Sequence, residues 1–138
     1  MGDYELVRLA WQARERAYCP YSGYGVGAAL LAESGRVYQG CNVENAAYPV
    51  SSCGERSALF AAVSAGERHF SALAIVGGPM NNPAEMITAR VSPCGVCRQA
   101  LYEFEPQLRL LLVTGPDTWE ETTLEQLLPD GFGPQNME

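Results

Sequence analysis

Apolar residues recur at intervals of three and four near the beginning of the chain and then collect in short runs. The first pattern predicts an amphipathic helix over residues 4–18. It rests on five positions: Leu6, Leu9, Ala10, Ala13 and Ala17. The short runs are bounded by turn-forming residues, which predicts strands. These strands cover residues 25–31, 37–43, 73–76, 86–91 and 108–113.

Three further segments have helical character. They cover residues 53–65, 93–104 and 123–128. Residues 77–84 are rich in Gly, Pro and Asn, which predicts a loop. A pair of strands joined by the Ser34-Gly35 turn, followed by alternating helices and strands, predicts a mixed sheet with helices on both faces. The predicted fold class is therefore α/β.

Two cysteine-containing segments stand at the starts of predicted helices. The sequence SSCGER surrounds Cys53, and SPCGVCRQ contains Cys94 and Cys97. Ser92 suits an N-cap and Pro93 the first helical position. Residues three apart lie on one helix face with Cβ atoms about 5–6 Å apart, so Cys94 and Cys97 can share a metal ion. If the two helix starts converge, Cys53 adds a third sulfur, and three protein ligands leave one position of a tetrahedral zinc ion open.

A negatively charged residue and a positively charged residue follow the first of these cysteines. Glu55 follows Cys53 by two residues, and we expect it to carry protons for a water molecule that the metal activates. Zinc with three thiolates has a net charge of about −1, which weakens it as a Lewis acid unless positive charge offsets it. The helix N-termini, Arg56 and Arg98 can supply that charge, and we expect Arg56 to donate to sulfur.

Each motif has a simpler interpretation when it stands alone. Ser52 and Glu55 fit a capping box, in which the carboxylate only bonds a backbone N–H. A C-x-x-C pair can be a redox site or half of a structural zinc site. The combination of C-x-E with a later P-C-x-x-C is much more specific and favours a catalytic metal site.

These motifs resemble those of the short-chain, three-cysteine zinc cytidine deaminases. The resemblance extends through Tyr21-Ser22, VGAAL at 26–30, GCNVENA at 40–46, Arg98-Gln99 and LLPDGF at 127–132. It implies a three-layer α/β/α domain with a five-stranded mixed sheet. It also implies a zinc cofactor and the hydrolytic deamination of cytidine or 2′-deoxycytidine in pyrimidine salvage.

The resemblance further implies which residues contact the nucleoside. Asn42 and Glu44 match a pair that bonds the ribose hydroxyls, and Gly54 matches a position whose backbone amide lies at the base. Tyr24 matches an aromatic position, usually Phe, that packs beside the pyrimidine. Phe132 matches a Phe that reaches the base bound by a neighbouring subunit, which implies a homotetramer.

Two positions depart from the family pattern. Gly54 stands where Ala is usual, and Pro49 where Gly is usual. We expect Gly54 to leave room for a methyl-sized group, and both changes to affect the preference among cytidine analogues rather than activity on cytidine.

Length and composition limit the number of domains, the class of ligand and the location of the protein. The chain has 138 residues, which is the length of one domain, so we expect a single domain over residues 1–138. Its net charge of −7 and scattered arginines argue against a nucleic-acid surface. There is no secretory signal or long apolar stretch, so we expect a cytoplasmic protein with reduced cysteines and no membrane span.

Three alternatives remain at this point. A related aminohydrolase would act on a modified cytosine nucleoside or a nucleoside antibiotic. A nucleic-acid editing deaminase is disfavoured by the negative charge. A structural zinc module would use Cys41 as a fourth ligand and close the open position.

Overall fold

The computed structural model describes residues 1–87 and 89–138. Its helices are α1 (Asp3–Arg14), α2 (Gly54–Ser64), α3 (Gly95–Tyr102) and α4 (Leu124–Leu127). Its strands are β1 (Tyr24–Ala32), β2 (Val37–Cys41), β3 (Phe70–Pro79), β4 (Arg109–Val113) and β5 (Trp119–Thr123). Short 3-10 turns cover Tyr48–Val50, Ala84–Met86 and Pro134–Met137.

The five strands form one mixed sheet in the order β2-β1-β3-β4-β5. Only the β3–β4 pair is parallel; the other neighbours are antiparallel. One buried cluster joins α1 to one face of the sheet, and a second joins α2 and α3 to the other face. The predicted three-layer α/β/α architecture with a five-stranded mixed sheet is confirmed.

Two glycines let helices approach the sheet closely. A Cβ atom on Gly27 would lie 2.2 Å from the Ala10 carbonyl oxygen of α1, and one on Gly40 would lie 2.3 Å from the Ala58 nitrogen of α2. Neither backbone could remain in place if these residues carried side chains. Gly40 therefore sets how closely the start of α2, with Cys53 beside it, approaches β2.

The prediction for residues 77–91 was wrong in two places. β3 continues through Gly77 and Gly78 to Pro79, where a loop was predicted. These glycines belong to a strand because neighbouring side chains pack where their own would be: Val91 and Tyr24 against Gly77, and Ile87 against Gly78. The predicted strand at 86–91 is absent from the described residues of that segment, since Met86 ends a 3-10 turn. Position 88 lies outside the described residues.

β5 was not predicted, and the starts of α3 and α4 were placed too early. β5 has the sequence WEETT and pairs only with β4 at the edge of the sheet, so apolar runs do not reveal it. Thr123, predicted as helical, ends β5 and caps α4 through a capping box with Gln126. Ser92 and Pro93 precede α3, whose N-cap is Cys94.

Among the described residues, no helix combines the length and the apolar character needed to cross a bilayer.

Candidate active site

Two of the cysteines occupy the N-cap positions of two helices that start at the same end of the sheet. Cys53 precedes α2 and Cys94 precedes α3, and both have extended backbone conformations. Cys97 lies one turn into α3 and is fully buried. The Sγ atoms of Cys53 and Cys94 are 3.7 Å apart, and those of Cys94 and Cys97 are 3.5 Å apart. The sequence motifs are thus brought together at one point.

The spacing of the three sulfurs suits a tetrahedral zinc ion. Zinc–sulfur bonds of about 2.3 Å in tetrahedral geometry place neighbouring sulfurs about 3.8 Å apart. All three Sγ atoms lie within 4.8 Å of one another, and in the described part of the chain the metal-capable group consists of these three residues. Cys41, the alternative fourth ligand, instead donates its Sγ hydrogen to the Arg16 carbonyl oxygen at 3.4 Å. The three residues therefore fit a zinc ion that keeps a position for water.

The thiols differ in their readiness to ionise. The pKa of Cys53 falls to about 5, chiefly because the Cys97 thiol donates to its sulfur and, in addition, because Arg56 and Cys94 do so. The same hydrogen bond with Cys53, together with burial, raises the pKa of Cys97. Cys53 is therefore the sulfur most ready to bind a metal ion as a thiolate, and metal binding releases protons from thiol ligands.

Arg56 is the cation in contact with this cluster. Its Nη2 atom donates to Cys53 Sγ at 3.6 Å, and this hydrogen bond raises the pKa of Arg56. Its Nε atom is buried and has no hydrogen-bond partner among the described residues. Arg98, the other candidate, braces the backbone instead, because it donates to the carbonyl oxygens of Pro93 and Leu127 at 2.7 and 2.6 Å.

Glu55 is buried in the first turn of α2, with 3% of its surface exposed. Burial raises its pKa, since the charged form loses solvation, and the nearby Cys53 sulfur raises it further. The capping-box interpretation does not hold, because Cys53 is the N-cap and the Ser52 N–H donates to the Val43 carbonyl oxygen at 3.0 Å. The carboxyl group is therefore available for proton transfer.

A cavity of about 650 Å³ opens beside the cysteines. It is lined by polar and metal-binding side chains from both cysteine segments and from the loop after β2: Asn42, Glu44, Cys53, Glu55, Arg56 and Cys94. Val26, Tyr48, Pro49 and Val91 supply apolar surface, and several serines supply hydroxyl groups. The volume suits a ligand the size of a nucleoside.

Asn42 and Glu44 are both held by the segment around the start of β1. Asn42 Oδ1 accepts from the Val26 N–H and its Nδ2 donates to the Tyr24 carbonyl oxygen, both at 2.8 Å. Glu44 Oε1 accepts from the backbone N–H groups of Tyr21 and Ser22 at 2.9 and 3.1 Å. A hydrogen bond from the Ser22 hydroxyl is the main reason that the pKa of Glu44 is lowered.

Three other predicted contact residues lie outside the cavity lining. A Cβ atom on Gly54 would lie 3.2 Å from both Cγ1 and the carbonyl oxygen of Val26, so a methyl group would fit there only if Val26 moved by a few tenths of an ångström. The Tyr24 ring packs over Gly77 and lines a separate cavity of about 160 Å³. Phe132 is 58% exposed, and its carbonyl oxygen accepts from Gln99 at 2.8 Å.

Several cavity residues were not predicted as contacts. Val26 and Val91 form part of its apolar wall, and Ser22, which lines an adjoining cavity, bonds the Glu44 carboxylate from the turn before β1. No local pattern marks these residues, because each acquires its neighbour only through the pairing of distant segments. Tyr21-Ser22 was part of the family resemblance, but that signal did not indicate what Ser22 contacts.

Residues 2–112 match the protein family described as the cytidine and deoxycytidylate deaminase zinc-binding region. The chain is 45% identical over 137 residues to a cytidine deaminase of Sporosarcina psychrophila, covering 96% of this chain and 93% of the relative. It is 41% identical to a cytidine deaminase of Halalkalibacterium halodurans, covering 96% and 95%. The crystal structure of cytidine deaminase from Burkholderia pseudomallei superposes with a TM-score of 0.85 at 43% identity, covering 96% of this chain and all of that one.

Proposed function

This chain belongs to the cytidine and deoxycytidylate deaminase family, and on that premise we propose which of its residues carry out the reaction. The chain is an enzyme that deaminates cytidine in a zinc-dependent reaction. Water replaces the amino group at C4 of the pyrimidine, so that uridine and ammonia are formed. The observation that carries our assignment of roles is the three-sulfur cluster beside a buried carboxyl group on one cavity.

Cys53, Cys94 and Cys97 hold the zinc ion. Zinc, when bound, supplies a Lewis acid that makes water nucleophilic at neutral pH. The guanidinium group of Arg56 offsets the excess negative charge of three thiolates through its contact with Cys53. The N-termini of α2 and α3 favour the same negative charge.

Glu55 moves both protons of the reaction. Its carboxylate takes a proton from the attacking water and gives it to ring N3, while the water oxygen forms a bond to C4. It then takes the remaining hydroxyl proton and delivers it to the amino group, which leaves as ammonia. The raised pKa of Glu55 supports this role, because the carboxyl group must hold a proton between the two transfers.

Asn42 and Glu44 bind the sugar. Both residues line the cavity that also holds Glu55, and a site built around sugar hydroxyls discriminates against the free base. From the family resemblance we also propose that the backbone amide of Gly54 bonds the base and that Tyr24, which lines a separate cavity in this structure, packs beside the pyrimidine when substrate binds. We propose 2′-deoxycytidine as a second substrate and nucleosides rather than nucleic acids as the ligand class.

We propose a homotetramer of single-domain chains, 1–138, in which Phe132 of one copy closes the cavity of another. The high exposure of Phe132 supports this assignment, since a large apolar side chain gains stability when a partner covers it. A cytoplasmic location and a role in pyrimidine salvage complete the proposal. Light scattering tests the assembly: it should give about four times the chain mass of 15.0 kDa.

One assay tests the central assignment. Zinc is first quantified in the purified protein, and cytidine, 2′-deoxycytidine and cytosine are then compared by ultraviolet absorbance. We expect about one zinc per chain, turnover of both nucleosides and almost none of cytosine. Equal turnover of cytosine would contradict the roles of Asn42 and Glu44, whereas preferential turnover of a modified cytosine nucleoside would favour the related aminohydrolase. Binding of single-stranded DNA at low salt would contradict the proposed ligand class.

A further inference from the structure

The turn before β1 ties the Glu44 carboxylate down at both oxygens. Glu44 Oε1 accepts from two backbone N–H groups, those of Tyr21 and Ser22. Glu44 Oε2 accepts from the Ser22 hydroxyl. The Ser22 Oγ atom in turn accepts from the Tyr24 N–H at 3.0 Å, so the hydroxyl is oriented from two sides.

These bonds leave a defined part of the carboxylate free. A carboxylate offers about four acceptor positions, two on each oxygen. Two are filled on Oε1 and one on Oε2, so the remaining position belongs to the oxygen that Ser22 holds. Glu44 lines both the 650 Å³ cavity and an adjoining cavity of about 350 Å³ that also includes Ser22, which places its side chain beside space for a ligand.

We infer that Ser22 is a positioning residue for substrate binding: its hydroxyl fixes the Glu44 oxygen that accepts a hydrogen bond from the nucleoside sugar. This inference rests on the proposed contact between Glu44 and the sugar. Ser22 itself touches no reacting atom. Its loss should weaken substrate binding and leave the chemical step unchanged.

The chain contains a matched control for this arrangement. After β1, the Ser34 hydroxyl donates to Glu67 Oε2 at 2.7 Å and accepts from the Arg36 N–H at 3.4 Å. Ser34 therefore repeats the Ser22 pattern, a hydroxyl that bonds a distant glutamate and the backbone two residues on. It stands at the opposite end of the strand from the cysteines.

The test compares steady-state kinetics on cytidine for Ser22→Ala, Ser22→Thr, Ser34→Ala and Glu44→Gln, each loaded with zinc. We expect Ser22→Ala to raise KM about three- to tenfold with kcat within about twofold, as for loss of one hydrogen bond. Ser22→Thr keeps the hydroxyl and should restore KM. Ser34→Ala should leave KM and kcat unchanged, while Glu44→Gln should raise KM at least as much as Ser22→Ala.

The outcomes separate this inference from the proposed function. If Glu44→Gln raises KM and Ser22→Ala does not, the role of Ser22 is wrong and the sugar contact stands. If neither variant changes KM, the Glu44 contact fails and the inference fails with it. An equal change in Ser34→Ala would show a general effect on stability and overturn the inference. Should alanine disrupt the turn, Ser22→Cys keeps the shape with a weaker donor, and an unchanged KM there would also overturn it.

Discussion

The two ends of the sheet are built from similar parts but treat their polar groups differently. We call the end with the start of β1 and the N-termini of α2 and α3 the cysteine end, and the opposite one the far end. At the far end Glu67 accepts from Ser34 and Tyr38, and Arg109 pairs with Asp3 and Glu121 at 2.7 and 2.8 Å. These groups satisfy one another within the chain.

The cysteine end contains polar and metal-binding groups that the described part of the chain does not fully satisfy. Three sulfurs lie within 4.8 Å of one another, Glu55 is buried, and Arg56 Nε has no partner among the described residues. Such groups lower stability unless something binds them. The difference teaches that a functional end can be recognised by polar groups whose partners come from outside the chain.

The largest expected effect is the difference in kcat between substitutions of two glutamates, one at each end of the sheet. Glu55→Gln should keep zinc and fold but lower kcat by about a thousandfold or more, because the amide cannot accept and return a proton. Glu105→Gln, at the far end, alters a carboxylate that accepts from the Phe70 N–H at 3.4 Å and should leave kcat within about twofold. Ultraviolet assays of both variants measure this. Full activity of Glu55→Gln would remove Glu55 from the mechanism.

Metal content provides the next test. Cys94→Ala should lose zinc and activity, because two thiolates hold the ion much more weakly than three. Cys41→Ala is the control, since its sulfur bonds the Arg16 carbonyl oxygen outside the cluster, and it should retain both. Metal analysis of the purified variants decides the matter. Loss of zinc in Cys41→Ala would instead support the alternative of a structural zinc site with four cysteine ligands.

A stability comparison sharpens the contrast. Asn42→Ala removes two 2.8 Å hydrogen bonds to the backbone, a part-buried one from the Val26 N–H and an exposed one to the Tyr24 carbonyl oxygen, and should cost about 1–3 kcal/mol of unfolding free energy. Tyr38→Phe removes a single part-buried hydrogen bond, to Glu67 at the far end, and should cost less because only one bond is lost. Denaturant unfolding of the zinc-loaded variants measures both. The opposite order would mean that the far-end hydrogen bond contributes more to stability than the two bonds of Asn42 together.

The smallest effect concerns pH at the far end. Hydrogen bonds from Ser34 and then Tyr38 lower the pKa of Glu67, so its ionised form is favoured by folding. The contribution is complete above the unfolded pKa and is lost as pH falls through the lower folded value. Melting temperatures of Glu67→Gln and the unaltered protein should therefore differ slightly at neutral pH and converge in acid. A difference that grows in acid would contradict the assignment.

The features that the sequence could predict are those set by local geometry. Helix spacing places Cys94 and Cys97 together, and Glu55 lies only two residues after Cys53, in the first turn of the helix that Cys53 caps. β5 was missed because its exposed edge position needs no apolar run. The role of Gly77 depends on Tyr24 and Val91, which lie far away along the chain. Partners of that kind are set by tertiary pairing, so sequence spacing alone carries no signal for them.

The two N-cap cysteines have a consequence for how the molecule is held together. Cys53 and Cys94 are separated by 41 positions, and no disulfide joins the described cysteines. An ion gripped by both would act as a removable crosslink that closes this long loop and clamps two helices side by side. The ion that is needed for catalysis would then also stabilise the fold, so a chelator would lower the stability of the protein as well as stop turnover.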